Sequence, residues 1–363
     1  TGNITTRGPN AVGIFAQSVG GGGGISGNLG FSPLSEQALI GSVGGNGKGG
    51  TVDVTHVGNL ATFGGGAHGI LAQSAGGTGA GTVSVEVTGS VVAHGVDAAG
   101  ILAQSVGLND TGTAMQGGAA IDITIADGSF VQGGTPGVSN LAPGVWIEAG
   151  TSNFMVTGAS MLSNARALAG DMSGYAILAT TGDDWVVNDG VILGSVDLGS
   201  GSNKLNNNGS GRFYSGAVLD LGAGNPFNNF GLLSPGGDEV LQTTTLTGSL
   251  VQSGGTYLVT LDASGTSLND RVDVSGTTDM TGAVQVEVID AGDLPFLPGQ
   301  LVDKIRIKDE NQKSISDGKR PATYELKLMG ITRAALHSES FISAASFQET
   351  TKVLADASLA GRR

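Results

Sequence analysis

The chain has 363 residues, of which 65 are Gly and none Cys, with 17 Lys and Arg against 31 Asp and Glu and a formal net charge of −14. The missing Cys excludes disulfides, thiol catalysis and Cys-ligated metals. The charge is uneven: residues 1–285 hold 60 of the Gly, 6 Lys and Arg and 20 Asp and Glu, whereas the last 78 hold 5 Gly and 11 of each charge. Two pieces with different solvation strategies are therefore expected, meeting at residues 286–290. The acidic long piece argues against nucleic-acid binding by residues 1–285, because phosphate contacts need clustered Lys and Arg.

The sequence opens with Thr1 inside a repeat and is expected to be a fragment. It shows no signal-peptide pattern and no apolar run of the roughly 18 residues that a membrane helix needs. The clearest repeat is Gly13-Ile-Phe-Ala-Gln-Ser-Val-Gly20, followed by Gly69-Ile-Leu-Ala-Gln-Ser-Ala-Gly76 and Gly100-Ile-Leu-Ala-Gln-Ser-Val-Gly107. Its unequal spacing predicts coils separated by loops of variable length. Between the copies lie alternating runs of strand length. Val83, Val85 and Val87 share one face; Ile121, Ile123 and Ile125 share another; Val272 and Val274, then Val284 and Val286, repeat the pattern. The one helix-like stretch, around Ala159–Ala169, lacks a convincing cap.

Many short strands, Gly turns and few aromatics leave an antiparallel sandwich or a parallel β-helix. The β-helix is preferred, because identical phrases stack in register and small Ala, Val, Ile and Ser side chains fill a narrow interior. A sandwich would want larger aromatics in its core. The predicted fold class is all-β: a right-handed parallel β-helix with Ile14, Ile70 and Ile101 in one interior. Coils of about 20–25 residues predict about a dozen rungs and a rod of roughly 50–60 Å.

Site motifs are few. His56, His68, His94 and His337 have no metal-ligand spacing. Gly44-Gly-Asn-Gly-Lys-Gly-Gly50 resembles a phosphate cradle, but Gly49 follows Lys48 where a P-loop needs Ser or Thr and then a helix. It also misses the Ca²⁺-binding nonapeptide, and together with Gly20–Gly24 it reads as loop. Asn203–Asn208 reads as turns or a stacked ladder. The pairs Asp183-Asp184 and Asp238-Glu239 are placed in turns. No catalytic, cofactor-binding or metal-ligating residue is assigned, no cofactor is expected, and the chain is read as a non-enzyme.

The AQS(V/A)G phrases resemble those of large adhesin-like autotransporters of Gram-negative bacteria. Asn229-Phe-Gly-Leu-Leu-Ser-Pro-Gly-Gly237 resembles a phrase late in such passengers, and Leu246–Asp262 with Asn269–Gly276 is similar to their C-terminal stability segment. The resemblance implies a right-handed β-helix exported to the cell surface or secreted through an outer-membrane β-barrel, a barrel expected in the full parent and not part of this sequence. It further implies a structural or adhesive role toward an unidentified extracellular or host ligand. Residues 1–222 would be passenger repeats and 223–285 the stability segment; Leu232–Val274, with the densest large apolar residues, is expected to be the most protected part of the rod.

From residue 286 the resemblance changes. Asp290–Asp293 with Phe296–Gly299, then Leu328–Arg333 and Ser340–Leu354, resemble the C-terminal part of the bacterial RNA polymerase β′ subunit. This implies that residues 286–363 would pack on a polymerase in their parent family. The alternative reading of the chain is accordingly a β′ fragment of transcription, inactive because the family's Mg²⁺-binding motif has no counterpart here. Residues 286–363 are expected to form a small mixed α+β tail. Ser346-Phe-Gln-Glu349 fits a capping box that opens one helix through Val353, Leu354 and Ala357. The tail is read as a graft making few contacts with the rod, although Val284, Val286 and Val288 would carry one strand across the seam.

Overall fold

The computed structural model describes residues 1–20, 47–108, 115–137, 142–237, 240–262 and 269–289, and the strands Tyr324–Met329 and Ile342–Ala344. Nearly every pairing is parallel and joins residues one coil apart, which is the order of a parallel β-helix. Down the chain the stacked levels begin at Ile4–Thr6, Val52–Thr62, Val83–Ala93, Ile121–Ile125, Ser152–Thr157, Asp183–Asn188, Lys204–Asn207, Pro226–Asn229, Ser249–Asp262 and Thr278–Ile289. Among the described residues of 1–289 these ten levels fall short of the predicted dozen because the upper coils are longer than assumed: Ile70 and Ile101 stand 31 residues apart. At about 4.8 Å per level they span about 45 Å.

Each middle coil has three strands, such as Ser152–Thr157, Met161–Asn164 and Tyr175–Ala179. In the upper coils the first two merge into one strand bent at a glycine. Gly58 and Gly89 stack there with φ of 131° and 115°, values that favour a residue without Cβ. A Cβ on Gly89 would lie 2.1 Å from the Gly58 carbonyl oxygen, so neither side chain nor rotation fits. One coil lower the same bend opens into a turn, and the Ser129 hydroxyl accepts from the Gly89 N–H at 3.1 Å.

The three phrases stack residue on residue. Ile14 pairs with Ile70 and Ile70 with Ile101, through to Gly20, Gly76 and Gly107. Offsets of 56 and 31 residues therefore each make one level. Ile70 and Ile101 are fully buried in the axial core, and half-buried Ile14 packs against it. A fourth copy, invisible by sequence, follows: Val145, Trp146, Ile147, Glu148 and Ala149 pair with Ile101, Leu102, Ala103, Gln104 and Ser105. The alternating Val and Ile runs bury their predicted faces, with Val83, Val87, Ile121 and Ile125 all fully buried. Lower down the interior widens to aromatics: Phe213 and Phe227 meet edge to face at 5.6 Å. Burying side chains of that size contributes on the order of 2–3 kcal/mol each.

Two expectations need correction. The helix-like stretch near Ala159–Ala169 holds the helix Ala165–Leu168, and, against expectation, it is capped: the Asn164 side chain accepts from the Arg166 N–H at 2.7 Å. The cap escaped notice because no Glu or Gln follows to complete a capping box. The tail was expected to make few contacts with the rod, yet Tyr324–Met329 pairs in parallel with Gly282–Glu287, and Ile342–Ala344 adds to it in antiparallel fashion. Val284, Val286 and Val288 do lie in one strand, Thr278–Ile289, and pair with Tyr257, Val259 and Leu261. The predicted helix beyond Ser346 lies outside the described residues. No helix among the described residues is long and apolar enough to cross a membrane.

Candidate functional site

The repeated phrase supplies the wall between two polar systems. Within Ile101–Leu108, Ile101 and Ala103 face the axis, and Leu102 faces outward into a small cluster with Leu71, Ala99 and Trp146. The Gln of the phrase shares that outward face. Gln17 Nε2 donates to Gln73 Oε1 at 2.6 Å, Gln73 donates to Gln104, and Gln104 Nε2 donates to Glu148 Oε2 at 2.7 Å. A column of identical amides can do this because each carries one donor group and one acceptor and the levels are in register.

The Ser of the phrase turns inward and closes the corner. Ser18 Oγ accepts from the Gly50 N–H at 2.8 Å; Ser74 Oγ accepts from Gly81 N–H and donates to the Gly50 carbonyl; Ser105 Oγ accepts from Ala119 N–H and donates to the Gly81 carbonyl. Backbone groups at a buried corner need such partners. This explains the Gly44–Gly50 segment. Its described part, residues 47–50, is a corner held by Ser18 and Ser74, and the strand Val52–Thr62 follows where a phosphate cradle needs a helix.

Below the phrase, two inward ladders replace the Ser corner. The first joins Asn153, Asp184 and Asn203: Asn153 Nδ2 donates to Asp184 Oδ1 at 2.8 Å, and the Asp184 N–H donates to Asn203 Oδ1 at 2.9 Å. The second runs from Thr157 through Asn188, Asn207 and Asn229 to Gln252, with successive distances of 2.6, 2.8, 2.8 and 3.2 Å. The predicted ladder reading of Asn203–Asn208 therefore holds at Asn203 and Asn207. The turn assignment of Asp183-Asp184 does not: both open the strand Asp183–Asn188, and Asp184 is buried. Asp is common in turns, and a partner 31 residues away leaves no local trace. Asp238-Glu239 lies outside the described residues.

Three buried carboxyls stand out. Burial pushes Glu148 up to about 8 against the hydrogen bond from Gln104. It pushes Asp184 up to about 7, against Asn153 and helped by the charge of Asp183. Asp270 also rises to about 7 through burial, although the Gln242 and Thr260 N–H groups donate to its two oxygens at 2.7 and 2.9 Å.

The histidines do not converge. His56 is buried on Val52–Thr62, and burial lowers its pKa. His68 Nδ1 accepts from the Ala99 N–H at 3.0 Å. His94 stacks on Phe63 at 4.7 Å, with the Arg7 guanidinium 4.8 Å from the same Phe63 ring. His337 lies outside the described residues. Among the described residues no three His, Cys, Asp or Glu side chains gather to hold a metal ion. Phe154 and Trp185 form an exposed edge-to-face pair at 5.1 Å, with Lys204 Nζ 5.2 Å from the Trp185 ring. This column was missed in the sequence because its members are 31 and 19 residues apart.

Comparison with known proteins finds RNA polymerase β′ subunits among the similar proteins. The chain is 55% identical over 78 residues to the RNA polymerase β′ subunit of Ralstonia nicotianae, a match covering 22% of this chain and 6% of that protein. The β′ subunits of Cupriavidus taiwanensis, over 78 residues, and Burkholderia thailandensis, over 79, are each 54% identical. The match is as long as the segment 286–363, and the chain spans about 6% of the length of these relatives. No protein-family model matches the chain. No solved structure matches it.

Proposed function

We propose that residues 1–285 are a structural or adhesive, non-catalytic passenger segment of a Gram-negative autotransporter, displayed at the cell surface or secreted, with 286–363 a grafted β′-like piece. The observation that carries this reading is the in-register stack of the AQS phrases, whose Gln and Ser build the wall of a parallel β-helix. Such a rod holds its own backbone bonds level by level and presents turns and outward columns along its length, which suits display. The late-passenger phrase also supports it: its Leu233 fills the interior just above the coil containing Tyr257, Val259 and Leu261.

Antibodies raised against the full chain provide the test, applied to intact and permeabilised cells of the bacterium carrying the gene. Labelling of intact cells, lost after protease shaving, is the expected result. Labelling only after permeabilisation would overturn surface display. A second reading is favoured by the 55% identity over 78 residues: a β′ fragment that joins a polymerase. Co-purification of the chain with core RNA polymerase would favour it, and the graft reading expects none.

A further inference from the structure

Glu148 and Asp184 share a bonding pattern that Asp270 lacks. In each, one carboxyl oxygen accepts from an amide of the preceding level, Gln104 at 2.7 Å or Asn153 at 2.8 Å. The other oxygen, Glu148 Oε1 or Asp184 Oδ2, is buried with no hydrogen-bond partner. A carboxylate wants donors on both oxygens; a neutral acid offers one acceptor and one O–H, much as an amide offers a C=O and an NH₂. Burying the bare oxygen as an anion is costly, and as an O–H far less so.

The two acids flank one corner, between Val145–Ala149 and Ser152–Thr157. Glu148 stands on the outer side of the wall, in the Gln column; Asp184 stands on the inner side, between Asn153 and Asn203. Here the Ser of the phrase is replaced by Ala149, which is held at φ 58°, followed by Gly150 at φ 80°. Asn153 does the work of the absent Ser: its Nδ2 donates to the Ala149 carbonyl at 3.0 Å and to Asp184, and its Oδ1 accepts from the Ile121 N–H. A charge on Asp184 therefore acts on the group that closes the corner.

We propose that this corner is a proton-operated joint in the rod, closed while Glu148 and Asp184 are neutral and continue their amide ladders, and loosened when both ionise. Around Glu148, the neighbouring strands Ile101–Leu108, Met115–Gly117 and Phe130–Gly133 bring no titratable side chain, and Tyr175–Ala179 brings Tyr175. Around Asp184, Ser152–Thr157 brings none, Asp183 is its strand neighbour, and Lys204 lies over Trp185 on the outer face. The burial-driven rise of both acids places the change between mildly acidic and mildly alkaline conditions.

The test uses the full chain with Glu148→Gln and Asp184→Asn, singly and together, which make each ladder uniformly amide. Hydrogen exchange is compared between proteins at the same pH. At pH 5.5 the Val145–Thr157 amides should be equally protected in all. At pH 8.5 the unaltered chain should exchange there about tenfold faster than the double variant, while Phe213–Pro235 stays equal. Equal protection at both pH values would overturn the joint. So would a double variant that fails to fold or is looser at pH 5.5, since amides would then not stand in for the neutral acids.

Discussion

The upper coils, Val52–Leu108, and the lower coils, Asp183–Pro235, build the same stack from different chemistry. Above, a 31-residue coil encloses Val and Ile, puts its polar ladder outside and ties its corners with Ser. Below, coils of 19 to 23 residues enclose Phe213, Phe227 and several Leu, and their Asn ladder faces inward. The short coils keep Ser ties of their own, Ser195 Oγ accepting from the Val218 N–H and donating to the Met172 carbonyl, both at 3.2 Å. The Asn column serves both ends: Asn207 Nδ2 bonds Asn229 in the next level and the Leu232 carbonyl across the corner. Parallel stacking thus fixes register, and register lets any side chain that carries both donor and acceptor become structural.

The comparison can be broken first in the lower core. Phe213→Ala removes a fully buried ring and its edge-to-face partner, and should cost about 4 kcal/mol in denaturant unfolding. A loss under about 1 kcal/mol would mean the lower coils do not depend on aromatic packing. Next come the ladders. Asn207→Ala removes the donor to buried Asn229 Oδ1 and one of the two acceptors of Asn188 Nδ2, and should cost about 3 kcal/mol. Gln73→Ala on the outer ladder should cost about 1 kcal/mol. Equal values would erase the distinction between inner and outer ladders.

The pH dependence sharpens the contrast, because the three most strongly raised acids, Glu148, Asp184 and Asp270, lie at or below the end of the repeated phrase. Their folded values, near 7 to 8, exceed the unfolded carboxyl range near 4, so the folded state binds protons more tightly. Stability is fully present below about pH 4 and is lost as pH rises through 7 to 8. Thermal unfolding should show stability falling by several kcal/mol from pH 5 to pH 9; a rise with pH would contradict the assignment. The smallest effect is expected at Gly209→Ala. No atom lies within 4 Å of the added Cβ and the backbone there is not left-handed, so the change should stabilise by about 0.5 kcal/mol.

Much of this was legible where the signal is local. The alternation at Val83–Val87 and Ile121–Ile125 named the core face, and the triplicate phrase named the stack. What stayed hidden depends on partners a coil away. Val145-Trp-Ile-Glu-Ala149 is a fourth copy in geometry but keeps none of the phrase's letters at their positions. Asp184 reads as a turn residue until Asn153 and Asn203 are brought to either side of it. The Phe154, Trp185 and Lys204 column is likewise assembled only by stacking. The sequence left the tail unattached for the same reason: pairing of Tyr324–Met329 with Gly282–Glu287 has no neighbour signal.

The pairing of each residue with one a coil away has a mechanical consequence. A rod pulled by its two ends carries the load through its levels in series, and the ladder bonds lie along the pull, so they open one after another at low force. Each released coil would lengthen the chain by its own contour, about 65 Å for a 19-residue coil and about 105 Å for a 31-residue one. A force–extension trace of this molecule would therefore be a sawtooth whose tooth width changes part-way along, marking the passage from long coils to short ones.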